Sequence, residues 1–370
     1  MKILQIGKFY PIRGGVEKVM YDLMVGLSQQ QVYCDMLCAS TENHPPGTMV
    51  INDYAKLIIV PTQIKLAATM LAPKMITTLR RIVNNYDVVH IHHPDPMATL
   101  ALFLSGYKGK VLLHWHSDIL KQKNLLRLYK PLQSWLINRA DKIVGTTPVY
   151  VQESEFLQHV KHKIDYIPIG IDPVEVPAGK VNQIRQEYAG KKIVFSLGRL
   201  VEYKGYEYLI RAAAQLSDDY VILIGGTGPL GNDLRALVDL LKVSHKVKFL
   251  GYVADEDVPA YFQACTMFCL SSILKTEAFA IVQIEAMAYH KPVVCMHIPG
   301  SGVSWVNEDN ISGLVVEQRN SNALAKAITR IGENEALRKK LQSGAFERYK
   351  SYFNTAVMIR KAIHIYEILN

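Results

Sequence analysis

The chain has 370 residues, 49% of them hydrophobic and 20% charged, with a formal net charge of +9. That length predicts two or three domains, and the composition is that of an ordinary soluble globular protein. The positive charge suits anionic small molecules, nucleic acid or an anionic membrane surface equally, but no block of five or six like charges is present, which argues against a nucleic-acid tail. The five cysteines, Cys34, Cys38, Cys265, Cys269 and Cys295, form no Cys-x-x-Cys pair. Their odd number and spacing argue against a disulfide framework or a zinc site and predict buried free thiols in a reducing compartment.

The chain opens on an apolar run, Lys2 to Gly7, read as a strand rather than a signal peptide. Arg13-Gly14-Gly15-Val16-Glu17 closes the loop after it. This loop lacks the spacing of a dinucleotide fingerprint, but a Gly-Gly before a helix offers free N–H groups to an anion or hydroxyl. Val19, Met20, Leu23, Met24 and Leu27 then recur at helical spacing. Val88–His92, Lys110–His116 and Lys142–Thr146 read as buried parallel strands, with helical patterns between them. His90, His92 and His93 end one of these runs. On the next, His114, His116 and Asp118 alternate and are expected to point the same way. No metal-site spacing is matched, so no metal is expected. His116 is the candidate hydrogen-bonding residue, and His90 and His114 read as satisfied core histidines.

Residues 120–142 form a basic amphipathic stretch. Lys121, Lys123, Arg127, Lys130, Arg139 and Lys142 interleave with Leu125, Leu126, Leu128, Leu132, Trp135 and Leu136. It fits a membrane surface or a helix with a solvated basic face. No run reaches the ~18 apolar residues of a spanning helix.

The alternation pauses over Tyr166–Pro173, and a polar stretch follows to about Lys192, so a domain boundary is expected near residues 172–190. The expected division is 1–172, 173–354 and a final helix at 355–370. Strands resume at Ile193–Gly198, Tyr220–Gly226, Val247–Gly251, Met267–Leu270, Pro292–Cys295 and Gly313–Val316. Strands alternating with helices predict two α/β doubly wound, Rossmann-like domains. Their ligands would lie beyond the carboxyl ends of the strands, in a cleft.

Three features of the second half carry chemistry. Arg199 and Lys204 follow a strand directly. A guanidinium fork and an ammonium can together neutralise a diphosphate without a metal. A solvated basic pair is the plainer reading, but it would oppose the dipole of the helix that follows. Gly226-Thr227-Gly228-Pro229 can bring backbone N–H groups against phosphate or sugar, or can be a plain turn. Tyr252 and Val253, after the strand ending at Gly251, are candidates to line a base pocket. Glu277 and Glu285 flank seven residues that are almost all apolar. Buried carboxylates are costly unless something binds them, so this pair suggests a ligand rich in hydroxyls. A helix is expected to begin near Ala280, with Glu285 about two turns along it. Its free N–H groups suit a diphosphate, which makes Phe279, Ala280 and Ile281 donor-binding candidates. Helical patterns then close the chain, at Leu324, Ile328 and Ile331, at Leu337 and Leu341, and at Ile359, Ile363 and Tyr366.

Together these residues resemble the retaining glycosyltransferase family 4, of GT-B fold, over nearly the whole chain. The specific parts are Gly198-Arg199-Leu200 with Lys204-Gly205, and Glu277 to Glu285, similar to the family's Glu-x7-Glu pattern. Ile167–Asp172 is similar to its Ile-Pro-Asn-Gly-Ile-Asp, with Ile169 in place of Asn. Ala280 and His290 stand where the family mostly or often has Gly. His116-Ser117-Asp118-Ile119 with Lys121-Gln122-Lys123 resembles a subgroup that builds bacterial surface polysaccharides, many of them mannosyltransferases.

The resemblance implies that Gly14 and Gly15 contact donor phosphate and acceptor, and that His116 bonds the transferred sugar. It implies Arg199 and Lys204 on the diphosphate, Glu277 on the sugar and Glu285 on the ribose. It also implies a final helix that crosses back onto the N-terminal, acceptor-side domain. The expected activity is metal-independent, retaining transfer of a hexose, with no cofactor beyond a UDP- or GDP-linked donor. The acceptor would be a glycan or lipid-linked, and the protein cytoplasmic, at most peripheral on the membrane. A sugar-nucleotide epimerase, a phosphorylase or a non-catalytic nucleotide-sugar binder fits the same scaffold.

Overall fold

The computed structural model describes residues 1–370 apart from 13, 42, 43, 67, 68 and 120–122, and apart from the side chains of 66, 69 and 123–126. Arg13, Lys121 and Gln122, and the side chains of Lys123, Leu125 and Leu126, therefore lie outside the described residues. The chain divides into two compact units. Unit 1 is Met1–Gly170 with Thr355–Asn370, and unit 2 is Ile171–Asn354.

Unit 1 is built on β1 (Lys2–Tyr10), β2 (Tyr33–Ser40), β3 (Gly47–Asn52), β4 (Ala55–Val60), the short pair β5 (Ile64–Leu66) and β6 (Thr69–Leu71), β7 (Val88–His93), β8 (Lys110–Trp115), β9 (Lys142–Gly145) and β10 (Ile164–Tyr166). Eight of these form one sheet in the order β10-β9-β8-β7-β1-β2-β4-β3. Seven strands run parallel and β3 pairs antiparallel with β4, so the edge departs from the all-parallel expectation. The chain steps from β1 to β2 on one side and returns to β7 on the other. That reversal opens a crevice at the carboxyl ends of β1 and β7, where open α/β sheets place ligands.

The first helix, Val16–Gln29, buries Val19, Met20, Leu23, Met24 and Leu27, the residues whose spacing marked it. The last helix, Thr355–Leu369, packs on it. A Cβ at Gly26 would meet Ile359 at 2.6 Å, so the absence of a side chain at Gly26 is what lets the two helices close. Met358, Ile359, Ala362, Ile365 and Tyr366 form the buried face of the last helix.

Unit 2 holds β11 (Lys192–Leu197), β12 (Tyr220–Gly225), β13 (Val247–Gly251), β14 (Met267–Leu270), β15 (Val293–Met296) and β16 (Gly313–Val316), in the order β13-β12-β11-β14-β15-β16. Its pairs are all parallel. Val194, Ile222, Ile224, Met267 and Cys269 pack against Leu209, Ile210, Leu324 and Ile328 of flanking helices in one core. Here the reversal falls between β11 and β14. All five cysteines are buried and free, and burial raises each thiol pKa.

Candidate active site

The carboxyl ends of β11 and β14 bring together two of the segments singled out in the sequence. After β11, Arg199 projects into solvent, and among the described residues its guanidinium has no carboxylate partner. A short 3-10 turn, Glu202–Lys204, ends at Gly205 in the left-handed region (φ 59°). A side chain at Gly205 would strike the carbonyl of Ser271, 2.3 Å from where its Cβ would lie. The loops after β11 and β14 are thereby pressed together, and Ser271 Oγ donates to the carbonyl of Lys204 at 2.8 Å.

This contact sets Lys204 Nζ 2.5 Å from Glu277 Oε2, with both side chains 11% exposed. Ser272 Oγ donates to the same oxygen at 2.9 Å. Burial alone would lower the pKa of the Lys204 ammonium, but the charge of Glu277 outweighs it and the net direction is up. Lys204 is therefore a fixed positive charge beside a buried carboxylate. The carboxylate is partnered from within the protein, which the apolar context of Glu277 did not reveal.

The helix that follows runs Ile281–Ala288. Glu285 therefore lies just over one turn along it, not two, because four residues span about one turn. It is half-buried, and its charge acts on the Tyr289 hydroxyl. Ala280 caps the helix with φ 63°, ψ 79°, a left-handed conformation that costs a non-glycine residue about 1–2 kcal/mol. His290, just past the other end, has φ 57°, so both departures from glycine carry strained backbone. His290 recovers part of the cost by stacking on Phe346 at 3.7 Å. Phe279 is buried edge-on against Phe353.

The glycine turn after β12 has a local explanation. A Cβ on Gly226 would lie 2.1 Å from the carbonyl of Gly198, and one on Gly228 2.4 Å from that of Leu200. Both glycines admit the loop that carries Arg199, so their presence alone does not argue for phosphate. Tyr252 is 74% exposed. Val253 packs over Gly225, where a Cβ would come within 3.0 Å of it.

In unit 1, Gly14 (φ 119°) and Gly15 (φ 63°) precede the first helix in backbone conformations that favour glycine. Lys8, at φ 59°, donates from its backbone to Asp95 Oδ2 and from Nζ to the carbonyl of Pro94, each at 2.5 Å. Burial lowers the Lys8 pKa, opposed by Asp95 and Glu17.

The histidines form a buried array that sequence spacing did not disclose, because it depends on register. β7 and β8 pair His92 with His114, and the rings of His90, His92, His114 and His116 lie nearly parallel, 4.0–5.3 Å apart. Burial lowers the pKa of His90, His92 and His116 well below the ordinary value, aided by neighbouring rings and, at His92 and His116, by Lys8; burial alone lowers that of His114 to about 3. His93, on the opposite face, stacks on Trp115 at 3.8 Å, and burial lowers its pKa too. His90 bonds Tyr366 OH at 2.7 Å through Nδ1, but its Nε2 and both nitrogens of His114 have no partner among the described residues. The expectation of satisfied core histidines therefore fails for His114 and half fails for His90.

His90, His92 and His114 could offer ligand atoms within 4.8 Å of one another. Both nitrogens of His92 are, however, already engaged, one with His116 and one with Gln5. Asp118 leaves the alternation, since β8 ends at Trp115. It accepts from Trp115 Nε1 at 2.8 Å and Ser154 Oγ at 2.7 Å.

Two doubly wound units, each with polar groups gathered at its strand reversal, define a protein of GT-B architecture. Solved structures agree on the fold. Sucrose-phosphate synthase from Thermosynechococcus elongatus matches with a TM-score of 0.78 at 22% identity, covering 100% of this chain and 99% of that one. The Anabaena protein HepE, in complex with UDP, matches with a TM-score of 0.76 at 20% identity over 99% and 100%.

Residues 13–175 match the model of Glycosyltransferase Family 4, and residues 180–348 that of Glycosyl transferases group 1. The O-antigen chain mannosyltransferase C of Escherichia coli is 29% identical, over 100% of this chain and 99% of its own. The D-rhamnosyltransferase WbpZ of Pseudomonas aeruginosa is 30% identical, over 95% and 92%. The chain belongs to glycosyltransferase family 4 and is a glycosyltransferase.

Proposed function

We propose that this glycosyltransferase moves a hexose from a UDP- or GDP-linked donor to a glycan or lipid-linked acceptor of a surface polysaccharide, with retention and without a metal. The observation that carries the reading is the buried Lys204–Glu277 pair beside the exposed Arg199 and the N-terminus of Ile281–Ala288. As the glycosidic bond breaks, negative charge develops on the leaving diphosphate. Arg199, Lys204 and the helix N–H groups supply fixed positive potential for that charge, the kind of electrostatic term that dominates many enzymes.

Glu277, already oriented by Lys204 and Ser272, accepts from sugar hydroxyls, and Glu285 serves the ribose. The acceptor hydroxyl attacks the anomeric carbon from the face that the diphosphate leaves, and the leaving phosphate takes its proton, so retention requires no carboxylate nucleophile. Relatives named as O-antigen mannosyltransferase and D-rhamnosyltransferase favour a hexose or deoxyhexose and a surface-polysaccharide acceptor.

A peripheral contact with an anionic membrane belongs to the same reading. Leu100, Phe103 and Leu104 are exposed on the helix Pro96–Ser105, and Leu128 is 82% exposed on Lys123–Arg139, whose Arg127 and Lys130 are exposed as well. Among the described residues no helix is long and apolar enough to cross a membrane. Apolar side chains among cations suit an interfacial seat near a lipid-linked acceptor.

The test is nucleotide release with a panel of UDP- and GDP-hexoses and a lipid-linked acceptor extract, with product anomers assigned by NMR. Arg199→Ala and Glu277→Ala should each abolish most turnover; full activity in both would sink the assignment.

A further inference from the structure

The buried groups behind His116 fix which of its nitrogens carries the proton. Gln5 is fully buried on β1, and its Nε2 donates to the carbonyl of Met20 at 2.9 Å. A carbonyl only accepts, so the amide must turn its Oε1 toward His92 Nε2, 2.8 Å away. An amide oxygen also only accepts, so His92 Nε2 carries a hydrogen. His92 is neutral, being fully buried among other imidazoles and near the Lys8 ammonium. A neutral imidazole has one N–H, which leaves His92 Nδ1 as a bare acceptor. That atom lies 2.8 Å from His116 Nε2, which must therefore donate to it. His116, neutral for the same reasons, is left with a lone pair on Nδ1. Among the described residues nothing donates to that atom, and it is not one of the nitrogens sealed from solvent without a partner.

We propose that Gln5 and His92 are positioning residues that hold His116 in its Nε2–H form, so that His116 Nδ1 presents an acceptor to a sugar hydroxyl. In this state the imidazole cannot donate to a phosphate oxygen and cannot act as a general acid. The relay gives His116 one ligand chemistry: it accepts from a hydroxyl and offers nothing to a diphosphate oxygen. Polar relays of this kind fix tautomer and ring orientation from beyond the reacting atoms, as they do behind metal-bound histidines. The inference rests on the proposed reading of His116 as a ligand-facing residue, and on no contact of Gln5 or His92 with the ligand.

Two measurements test it on the full chain. The first needs no substrate: long-range proton–nitrogen correlation NMR of histidine-labelled protein, with His116 assigned by His116→Gln, reads which nitrogen is protonated. The expected result is a proton on Nε2, and a proton on Nδ1 overturns the relay. The second compares His92→Asn with His92→Leu in the transfer assay. The Asn amide oxygen sits near the position of Nδ1 and can still accept from His116, whereas Leu fills the space and cannot.

His92→Asn should keep kcat/KM within about threefold of the parent while His92→Leu loses about tenfold or more, the size of one lost hydrogen bond. If Leu does as well as Asn, or Asn as badly as Leu, the position serves packing and the relay is wrong. A protein that turns over no sugar nucleotide but shows the Nε2 proton would refute the transferase reading and leave the tautomer assignment standing.

Discussion

Mild acid should unfold unit 1 before unit 2. Five histidines of unit 1, His90, His92, His93, His114 and His116, are buried and held neutral, with folded pKa values below the ordinary 6.5 and that of His114 at about 3. The unfolded chain takes up protons near the ordinary value and the folded chain does not. The unfolded state therefore binds more protons below it, and stability falls as pH falls. The contribution is fully present above about pH 6.5 and is lost downward toward the folded values.

From about pH 7.5 to about pH 5.5, each ring costs about 1.4 kcal/mol, one pKa unit of differential protonation. Five independent rings would cost about 7 kcal/mol, against about 5–15 kcal/mol for the whole stability of a typical domain. Urea unfolding at the two pH values, followed by peptide-resolved hydrogen exchange, separates the units. Trp115, buried against His93, gives an emission signal from unit 1. If peptides of β7 and β8 keep the same opening free energy at both pH values, the rings are not held neutral and the reasoning fails.

Three further outcomes follow from particular contacts. His114→Leu removes two buried nitrogens that have no partner among the described residues; it should raise neutral-pH stability by about 1–2 kcal/mol and flatten the acid slope by one ring, both read by denaturant titration. Ala280→Gly relieves the left-handed strain, offset in part by glycine's greater unfolded freedom, and should stabilise unit 2 by about 0.5–1 kcal/mol in thermal melts. Lys204→Met leaves Glu277 buried without its cation and should cost about 3–5 kcal/mol, most of it recovered in Lys204→Met with Glu277→Gln; a double-mutant cycle measures the coupling.

The chemistry legible in the sequence was that carried by residues next to one another in the chain. Hydrophobic runs marked β7, β8, β9 and every strand of unit 2 to within a residue or two at each end. They did not mark β2, whose Cys34-Asp35-Met36 start breaks the run, or the hairpin of β3 and β4, which turns at Asp53-Tyr54. Glu277 stood out by its apolar surroundings, and its partner Lys204 by its place after a strand. That they touch depends on β11 lying beside β14, which spacing along the chain cannot express. The histidine array was hidden for the same reason, since it needs the register that sets His92 against His114. Asp118 lies beyond the end of β8, so the alternation of that strand does not set its direction.

Unit 2 interrupts unit 1 in the chain, and this gives the protein an order of birth. His90 on β7 waits 276 residues for its partner Tyr366, and the first helix waits for Ile359 to cover Gly26. Unit 2 has all its strands in hand before Thr355 is made. A chain that ends at Asn354 and is free of the ribosome should therefore carry a protease-resistant unit 2 behind a cleavable unit 1. The half that holds His116 would become competent only when the last helix is released.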